Sequence, residues 1–120
     1  MFCTGIDNEL VIKRYRVKWI DGGEKEISLL PGNDMFGYKH IRTYTHLYEL
    51  GWFRFDQFIA LALRNGELHR IILADIGIVA YRVSLDHVDE GSQFKSDPSM
   101  KFCVIVCEEH KTVLRAYVER

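Results

Sequence analysis

The sequence predicts an α+β fold: an N-terminal β-hairpin, two helices and then a four-stranded antiparallel sheet. Three observations predict it. Apolar and charged residues alternate near the start of the chain, which is typical of a half-buried strand. Apolar residues then recur at helical spacing in the middle. After residue 66, four β-branched, apolar-rich segments follow one another with no helix between them. The 120 residues suit one domain, residues 1–120, around one core.

The hairpin is predicted from Leu10–Ile20 and Glu24–Leu30. Apolar and basic side chains alternate along the first segment, so one face is buried and the other carries cations. The apolar positions are Tyr15, Val17 and Trp19, and the basic positions are Arg14, Arg16 and Lys18. The intervening Asp21-Gly22-Gly23 is a turn signal. The two segments therefore predict adjacent antiparallel strands.

Two helices are predicted in the middle of the chain. Pro31-Gly32-Asn33-Asp34 ends the hairpin, and Tyr38–Leu50 reads as a helix that stops at Gly51. The second helix begins at Arg54 or Asp56 and ends at Asn65, where Gly66 follows. Its apolar stripe consists of Phe55, Phe58, Ile59, Ala62 and Leu63.

The last half of the chain predicts the four strands of the sheet. Leu68–Ala74 and Ile78–Leu85 flank a turn at residues 75–77. Residues 86–99 contain Gly, Ser, Asp and Pro and are predicted to form a long loop. Met100–Cys107 and Thr112–Val118 then form a closing hairpin around residues 108–111.

Composition restricts the function. The formal net charge is −1, so any contact with nucleic acid must be local, because a broad nucleic-acid surface is usually strongly basic. No apolar run of about 18 residues predicts a membrane span, and the first residues do not resemble a signal peptide. We therefore expect a cytoplasmic protein with no membrane contact. The three cysteines include no CxxC pair, and Cys103 and Cys107 are predicted to be buried.

The segment from Phe36 to Arg42 mixes glycine, aromatic, cationic and imidazole groups. His40 lies near the predicted helix start, where free N–H groups and the helix dipole attract phosphate and favour neutral imidazole. Histidine exchanges a proton near neutral pH, so His40 is a candidate acid–base residue. Lys39 and Arg42 are candidate RNA-binding residues. The alternative is a surface or helix-capping histidine.

A second basic feature is the outward row Arg14, Arg16 and Lys18, which could follow the phosphates of an RNA. The alternative is an ordinary solvated strand face whose cations protect a sheet edge. His46 shares a helical face with Lys39 and is interpreted as solvated. We assign no role to His69, His87 or His110. No metal-ligand spacing and no nucleotide fingerprint occurs, so neither a metal nor another cofactor is expected.

The element order and the segment Gly37-Tyr38-Lys39-His40-Ile41 resemble the BECR superfamily of ribonucleases, which includes barnase, EndoU, colicin-type tRNases and RelE. Related phage and bacterial polymorphic-toxin modules often carry Gly-x-x-His-Ile at a helix start. The closing segment Val113-Leu114-Arg115-Ala116-Tyr117 is similar to their last strand, except that Arg115 replaces a frequent Thr or Ser. The resemblance covers roughly Ile27 to Tyr117.

The resemblance implies a metal-independent ribonuclease that uses the 2′-hydroxyl of the RNA as nucleophile. It implies His40 as general base or acid, and Arg115 and Tyr117 as sheet residues that meet the phosphate. Thr112 is a further catalytic candidate on the same strand, and Arg82 is a candidate RNA-binding residue. The implied substrate is tRNA or rRNA, and the implied partner is a cognate immunity or antitoxin protein.

A non-enzymatic reading stays open. An immunity protein, an antitoxin or a phage inhibitor would use its aromatic and charged surfaces to bind a protein. Toxicity on expression separates the two readings, because a nuclease needs a partner or an inactivating substitution to be produced.

Overall fold

The computed structural model describes residues 11–44, 52–73, 75–84 and 101–119. Within these residues lie six strands and two helices in the order that the sequence predicts. The strands are β1 (Lys13–Lys18), β2 (Glu24–Leu29), β3 (Glu67–Leu73), β4 (Ile76–Ser84), β5 (Lys101–Cys107) and β6 (Thr112–Glu119). The helices are α1 (Gly37–Tyr44) and α2 (Trp52–Asn65).

The prediction of a four-stranded antiparallel sheet beside a separate hairpin is wrong. All six strands form one mixed, curled sheet in the order β1-β2-β6-β5-β4-β3. The hairpin joins it because β2 runs parallel to β6, where Ser28 pairs with Thr112. The Ser28 N–H also donates to the Lys111 carbonyl at 2.9 Å. Alternation of apolar and polar side chains identifies a strand, but it does not show which strand from a distant part of the sequence will pair with it.

Several predicted boundaries also move. Helix α1 begins at Gly37, one residue before the predicted start, and α2 begins at Trp52, before Arg54. Strand β4 begins at Ile76, so residues 74–75 alone separate β3 from β4, and Asp75 has a φ of 65°. The predicted continuation of the first helix from residue 45 to 50, the loop at residues 86–99, His46 and His87 lie outside the described residues.

The main core lies between the helices and one face of the sheet. The predicted stripe of α2 is buried at Phe58, Ile59, Ala62 and Leu63, and Ile41 of α1 joins the same cluster. The Phe58 ring lies 5.5 Å from the Phe102 ring, centre to centre. Each large apolar side chain of this cluster, such as Phe58 or Ile59, contributes roughly 1.5–3 kcal/mol when it is fully buried. This packing fixes α1 against β6 and therefore sets the position of His40.

A smaller apolar cluster lies on the opposite face of the sheet. It contains Leu30 and Phe36, which precede α1, together with Cys107 of β5 and Leu114 of β6. The predicted burial of Cys103 and Cys107 is confirmed. The segment before α1 is therefore attached to the sheet by apolar contacts of its own.

Two buried tyrosines donate hydrogen bonds that connect separate parts of the fold. The Tyr15 hydroxyl donates to Asp56 of α2 at 2.6 Å, and the Lys13 ammonium lies 2.9 Å from the other oxygen of that carboxylate. The Tyr81 hydroxyl donates to the Lys18 carbonyl at 2.6 Å. Burial raises the pKa of Tyr81 to about 12. Burial, reinforced by Asp56, raises the pKa of Tyr15 above its ordinary value.

These raised pKa values predict a loss of stability in alkali. The folded protein keeps the Tyr81 proton above pH 10, where an unfolded tyrosine of ordinary pKa loses it. The free energy of unfolding should therefore fall as the pH rises from 10.0 to about 12, by up to about 1.4 kcal/mol per pH unit for this group. Urea unfolding of the wild type and of Tyr81→Phe at several pH values above 10 measures the slope. The variant should show a shallower slope, and equal slopes would contradict the prediction.

No helix in the described part of the chain is both long and apolar enough to cross a membrane.

Candidate active site

The residues before α1 form a tight loop that two glycines make possible. Gly32 and Gly37 have φ values of 66° and 80°, a region that side chains rarely adopt. Inside the loop, the Asn33 N–H donates to the Phe36 carbonyl at 3.0 Å. The Asn33 side chain accepts from the Met35 N–H at 2.7 Å. Backbone and side-chain hydrogen bonds thus hold residues 32–37 in one conformation.

The first amides of α1 are occupied by this loop. The Tyr38 N–H donates to the Leu30 carbonyl at 2.9 Å, and the Lys39 N–H donates to the Pro31 carbonyl at 2.8 Å. A helix N-terminus binds anions through such N–H groups. The expected attraction of phosphate to this terminus is therefore reduced, and the positive charge for a phosphate must come from side chains.

The same loop orients His40. Its Nδ1 atom lies 2.8 Å from the Asp34 carbonyl oxygen, which can only accept a hydrogen bond. Nδ1 therefore carries the proton, and in neutral imidazole Nε2 is then the basic nitrogen. The ring is half-buried. The Lys39 ammonium lies 4.0 Å from the Asp34 carboxylate. Asp34 therefore contacts the side chains of both His40 and Lys39.

Strand β6 carries Arg115 next in sequence to Leu114, a member of the small apolar cluster. The β5–β6 pairing is irregular between Ile105 and Val106, so the strand bulges at Leu114, beside Arg115. Leu114 packs in the same small cluster as Phe36, two residues after Asp34. Arg115 is exposed. The loop before α1 and strand β6 therefore share one apolar cluster, through Phe36 and Leu114.

Arg82 and Tyr117 lie on the same face of the sheet as this cluster. Tyr81 and Val83 on one strand, and Ala116 on the other, pack into the main core, so their neighbours Arg82 and Tyr117 face away from the helices. The pairing register places Cys103 between them, opposite both residues. Both are half-buried, and the Arg82 Nε atom is covered from solvent.

Thr112 does not fit the predicted catalytic role. It is buried, and its hydroxyl donates to the His110 carbonyl at 3.1 Å. The side chain therefore stabilises the turn before β6, and we leave Thr112 out of the proposed site.

The basic row of β1 is neutralised by its neighbouring strand. Arg14 lies 3.3 Å from Glu26, and Arg16 lies 3.1 Å from Glu24. Lys18 pairs with Glu24 in the strand register. Exposed pairs of this kind contribute little to stability, but they cancel the charge that would attract a polyanion. The alternative reading, a solvated strand face, therefore fits the row better than RNA binding does.

Lys39 and Arg42 are both exposed on α1. They lie at the helix that carries His40, as the sequence predicts, and Arg42 comes two residues after it. Helix α1 thus carries one oriented imidazole together with two exposed cationic side chains.

Sequence reasoning missed the residues that position this site. Asp34 acts on His40 through its backbone carbonyl, for which no side-chain pattern exists. Phe36 and Leu114 read as ordinary core residues. The neutralisation of the basic row has a sequence signal, because a short hairpin turn places Glu26 opposite Arg16 and Glu24 opposite Lys18, on the same face as the row.

The described residues include no group of three or more His, Cys, Asp or Glu side chains that could hold a metal ion. No protein-family model, no curated protein and no solved structure shows a significant match to this chain.

Proposed function

We propose that this protein is a metal-independent endoribonuclease in which His40 moves a proton and Arg115 stabilises negative charge on the phosphate. The observation that carries the proposal is the contact between His40 Nδ1 and the Asp34 carbonyl at 2.8 Å. That contact fixes the ring and leaves Nε2 as the basic nitrogen, which is what a general base needs. The resemblance of the Gly37–Ile41 segment to ribonuclease motifs supports the same role.

The proposed reaction transfers the phosphate within the RNA. Nε2 of His40 takes the proton of a 2′-hydroxyl, and the 2′-oxygen then forms a bond to the adjacent phosphorus. The bond from that phosphorus to the 5′-oxygen breaks, and the leaving oxygen takes a proton from water. The products are a 2′,3′-cyclic phosphate and a 5′-hydroxyl. In this proposal Arg115 neutralises the charge that builds up on the phosphate oxygens, and Tyr117 donates a hydrogen bond to them.

RNA binding in this proposal is local. Lys39 and Arg42 on α1 supply the positive charge around His40, while Arg14 and Arg16 are engaged by glutamates and Arg82 faces away from the helices. A local site fits the net charge of −1. Such a site suits an exposed loop of a structured RNA, such as tRNA or rRNA, whose bases and phosphates are both accessible. In this proposal the enzyme acts in the cytoplasm, and its partner is a cognate immunity or antitoxin protein.

The test uses paired substrates with the unaltered protein. One RNA oligonucleotide is compared with a version that carries 2′-deoxyribose at the cleaved position, both in EDTA. The proposal expects cleavage of the RNA, a 2′,3′-cyclic phosphate end, and loss of cleavage in the deoxy version. Cleavage of both substrates would indicate a different nucleophile. Absence of cleavage of bulk tRNA, rRNA and single-stranded RNA would contradict the enzymatic proposal.

A second candidate function is protein binding without catalysis. The ion pairing of Arg14 and Arg16 favours it, because a mixed-charge surface suits a protein partner better than a polyanion. Expression in the absence of a partner separates the two functions. Growth arrest supports the nuclease, and normal growth with high yield supports the inhibitor.

A further inference from the structure

One backbone peptide group connects the His40 ring to the side chain of Asn33. The carbonyl of this group belongs to Asp34, and its oxygen lies 2.8 Å from His40 Nδ1. The N–H of the same group belongs to Met35 and donates to Asn33 Oδ1 at 2.7 Å. No peptide bond among the described residues is cis, so the carbonyl and the N–H of this group point in opposite directions. The imidazole therefore holds the group on one side, and the Asn33 amide holds it on the other.

Asn33 is suited to this contact by its side-chain chemistry and by its own attachment to the loop. Asparagine commonly accepts a hydrogen bond from the backbone N–H two residues further along the chain. The Asn33 N–H also donates to the carbonyl of Phe36, which is buried, so the position of Asn33 in the loop is fixed. The Met35 side chain is 56% exposed, and its packing therefore does little to hold the peptide group.

The orientation of this peptide group decides which nitrogen of His40 is basic. The central peptide group of a tight turn occurs in two opposite orientations, as in turns of types I and II. In the opposite orientation an N–H would face Nδ1, which would then accept the hydrogen bond and carry no proton. The proton of neutral imidazole would lie on Nε2, and the basic nitrogen would face the loop. The Asn33 Oδ1 atom opposes this change, because the N–H can donate to it and the carbonyl cannot.

We propose that Asn33 is a positioning residue for His40: acting through the Asp34–Met35 peptide group, it keeps the imidazole proton on Nδ1 and leaves Nε2 as the basic nitrogen. A catalytic base is commonly oriented by a third group, and here that group is a backbone carbonyl whose direction the Asn33 side chain sets. The role of Asn33 in catalysis rests on the proposed function, in which Nε2 takes the proton of the 2′-hydroxyl. Its effect on the imidazole does not require RNA.

The test is NMR spectroscopy of the protein labelled with ¹⁵N in its histidines, at a pH where imidazole is neutral. The nitrogen chemical shifts show which ring nitrogen carries the proton, and the His40 signals are those that are missing from the spectrum of His40→Gln. The wild type should carry the His40 proton on Nδ1. In Asn33→Ala the ratio of the Nδ1–H form to the Nε2–H form should fall by roughly 2- to 10-fold, the effect of one hydrogen bond. Asn33→Asp should keep the wild-type ratio, because a carboxylate also accepts from the Met35 N–H.

Asp21→Ala is the matched control. The Asp21 carboxylate accepts from the Gly23 N–H at 2.8 Å, which is the same arrangement two residues apart, in the turn between β1 and β2. Its loss should leave the His40 ratio unchanged. The proposal is overturned by a wild-type His40 with its proton on Nε2, by an unchanged ratio in Asn33→Ala, or by an equal change in Asp21→Ala or Asn33→Asp. Circular dichroism establishes that each variant is folded.

RNA cleavage is measured separately on the same variants. If Asn33 positions the base for catalysis, Asn33→Ala should lower the single-turnover rate of cleavage without a change in RNA affinity. An unchanged rate in an active protein would contradict that role. A wild type that cleaves no RNA would contradict the proposed function alone, and the NMR result would still decide whether Asn33 sets the position of the His40 proton.

Discussion

Replacing His40 by glutamine is expected to lower the rate of RNA cleavage by about 10²–10⁴-fold, the range that a positioned acid–base group contributes. Glutamine is close to histidine in size and can still donate a hydrogen bond to the Asp34 carbonyl, but it cannot accept a proton at neutral pH. The loop before α1 should therefore stay in place while proton transfer is lost. Single-turnover cleavage of a short RNA measures the rate, and an RNA-binding assay on the same variant should show little change in affinity.

The control for this substitution is His69→Gln. His69 is also half-buried, and it lies on β3, at the far edge of the sheet from the site, with its ring 3.5 Å from Glu67. Its loss should leave the cleavage rate unchanged. A fully active His40→Gln protein would remove His40 from the mechanism even if the wild type cleaves RNA. Equal losses of cleavage rate in both variants would indicate a general effect on folding. Measuring the free energy of unfolding of each variant tests for that effect.

The sequence predicts local features of this fold well. The burial of Phe58, Ile59, Ala62 and Leu63 follows from their helical spacing, and the structure confirms it. The hairpin follows from a turn signal between two alternating segments, and β1 and β2 are antiparallel neighbours. These features depend on residues within about ten positions of one another, where side-chain period and turn chemistry decide the conformation.

The pairing of β2 with β6 could not be predicted in the same way. Ser28 and Thr112 are far apart in the chain, and nothing in either segment specifies a parallel neighbour. Packing favours this pairing, because Ile27 and Leu29 are fully buried in the main core where the hairpin continues the sheet. That pairing also decides where the chain leaves β2, and hence where α1 meets β6.

The candidate site likewise contains residues that the sequence predicts and tertiary contacts that it does not predict. Side-chain chemistry suggested His40, Lys39 and Arg115, since imidazole and cations are recognisable in a sequence. The Asp34 carbonyl that orients His40, and the burial of Phe36 and Leu114 in one apolar cluster, are tertiary features. The hairpin register is a local feature: it puts Glu24 and Glu26 on the same face as the basic row, where they lie within ion-pair distance of Arg16 and Arg14.

Gly32→Ala is expected to be the most disruptive single-methyl change in the loop that holds His40. Gly32 has a φ of 66°, which alone costs an alanine about 1–2 kcal/mol. An added Cβ would also overlap the Phe36 carbonyl oxygen and approach the Gly37 Cα to 2.9 Å. Both neighbours are backbone atoms of the same loop, so neither can rotate away. We expect a loss of about 3 kcal/mol or more in the free energy of unfolding, measured by urea denaturation.

Gly22→Ala isolates the first of these effects, the conformational cost of an alanine at positive φ. Gly22 also has a positive φ, of 87°, but an added Cβ there meets nothing within 4 Å. The control should therefore lose only the conformational cost, about 1–2 kcal/mol. The excess at Gly32 measures the clash with Phe36, and because that clash displaces the loop that orients His40, cleavage should fall in Gly32→Ala and not in Gly22→Ala. Equal losses of stability in the two variants would mean that the loop can rearrange, and that its conformation does not determine the position of His40.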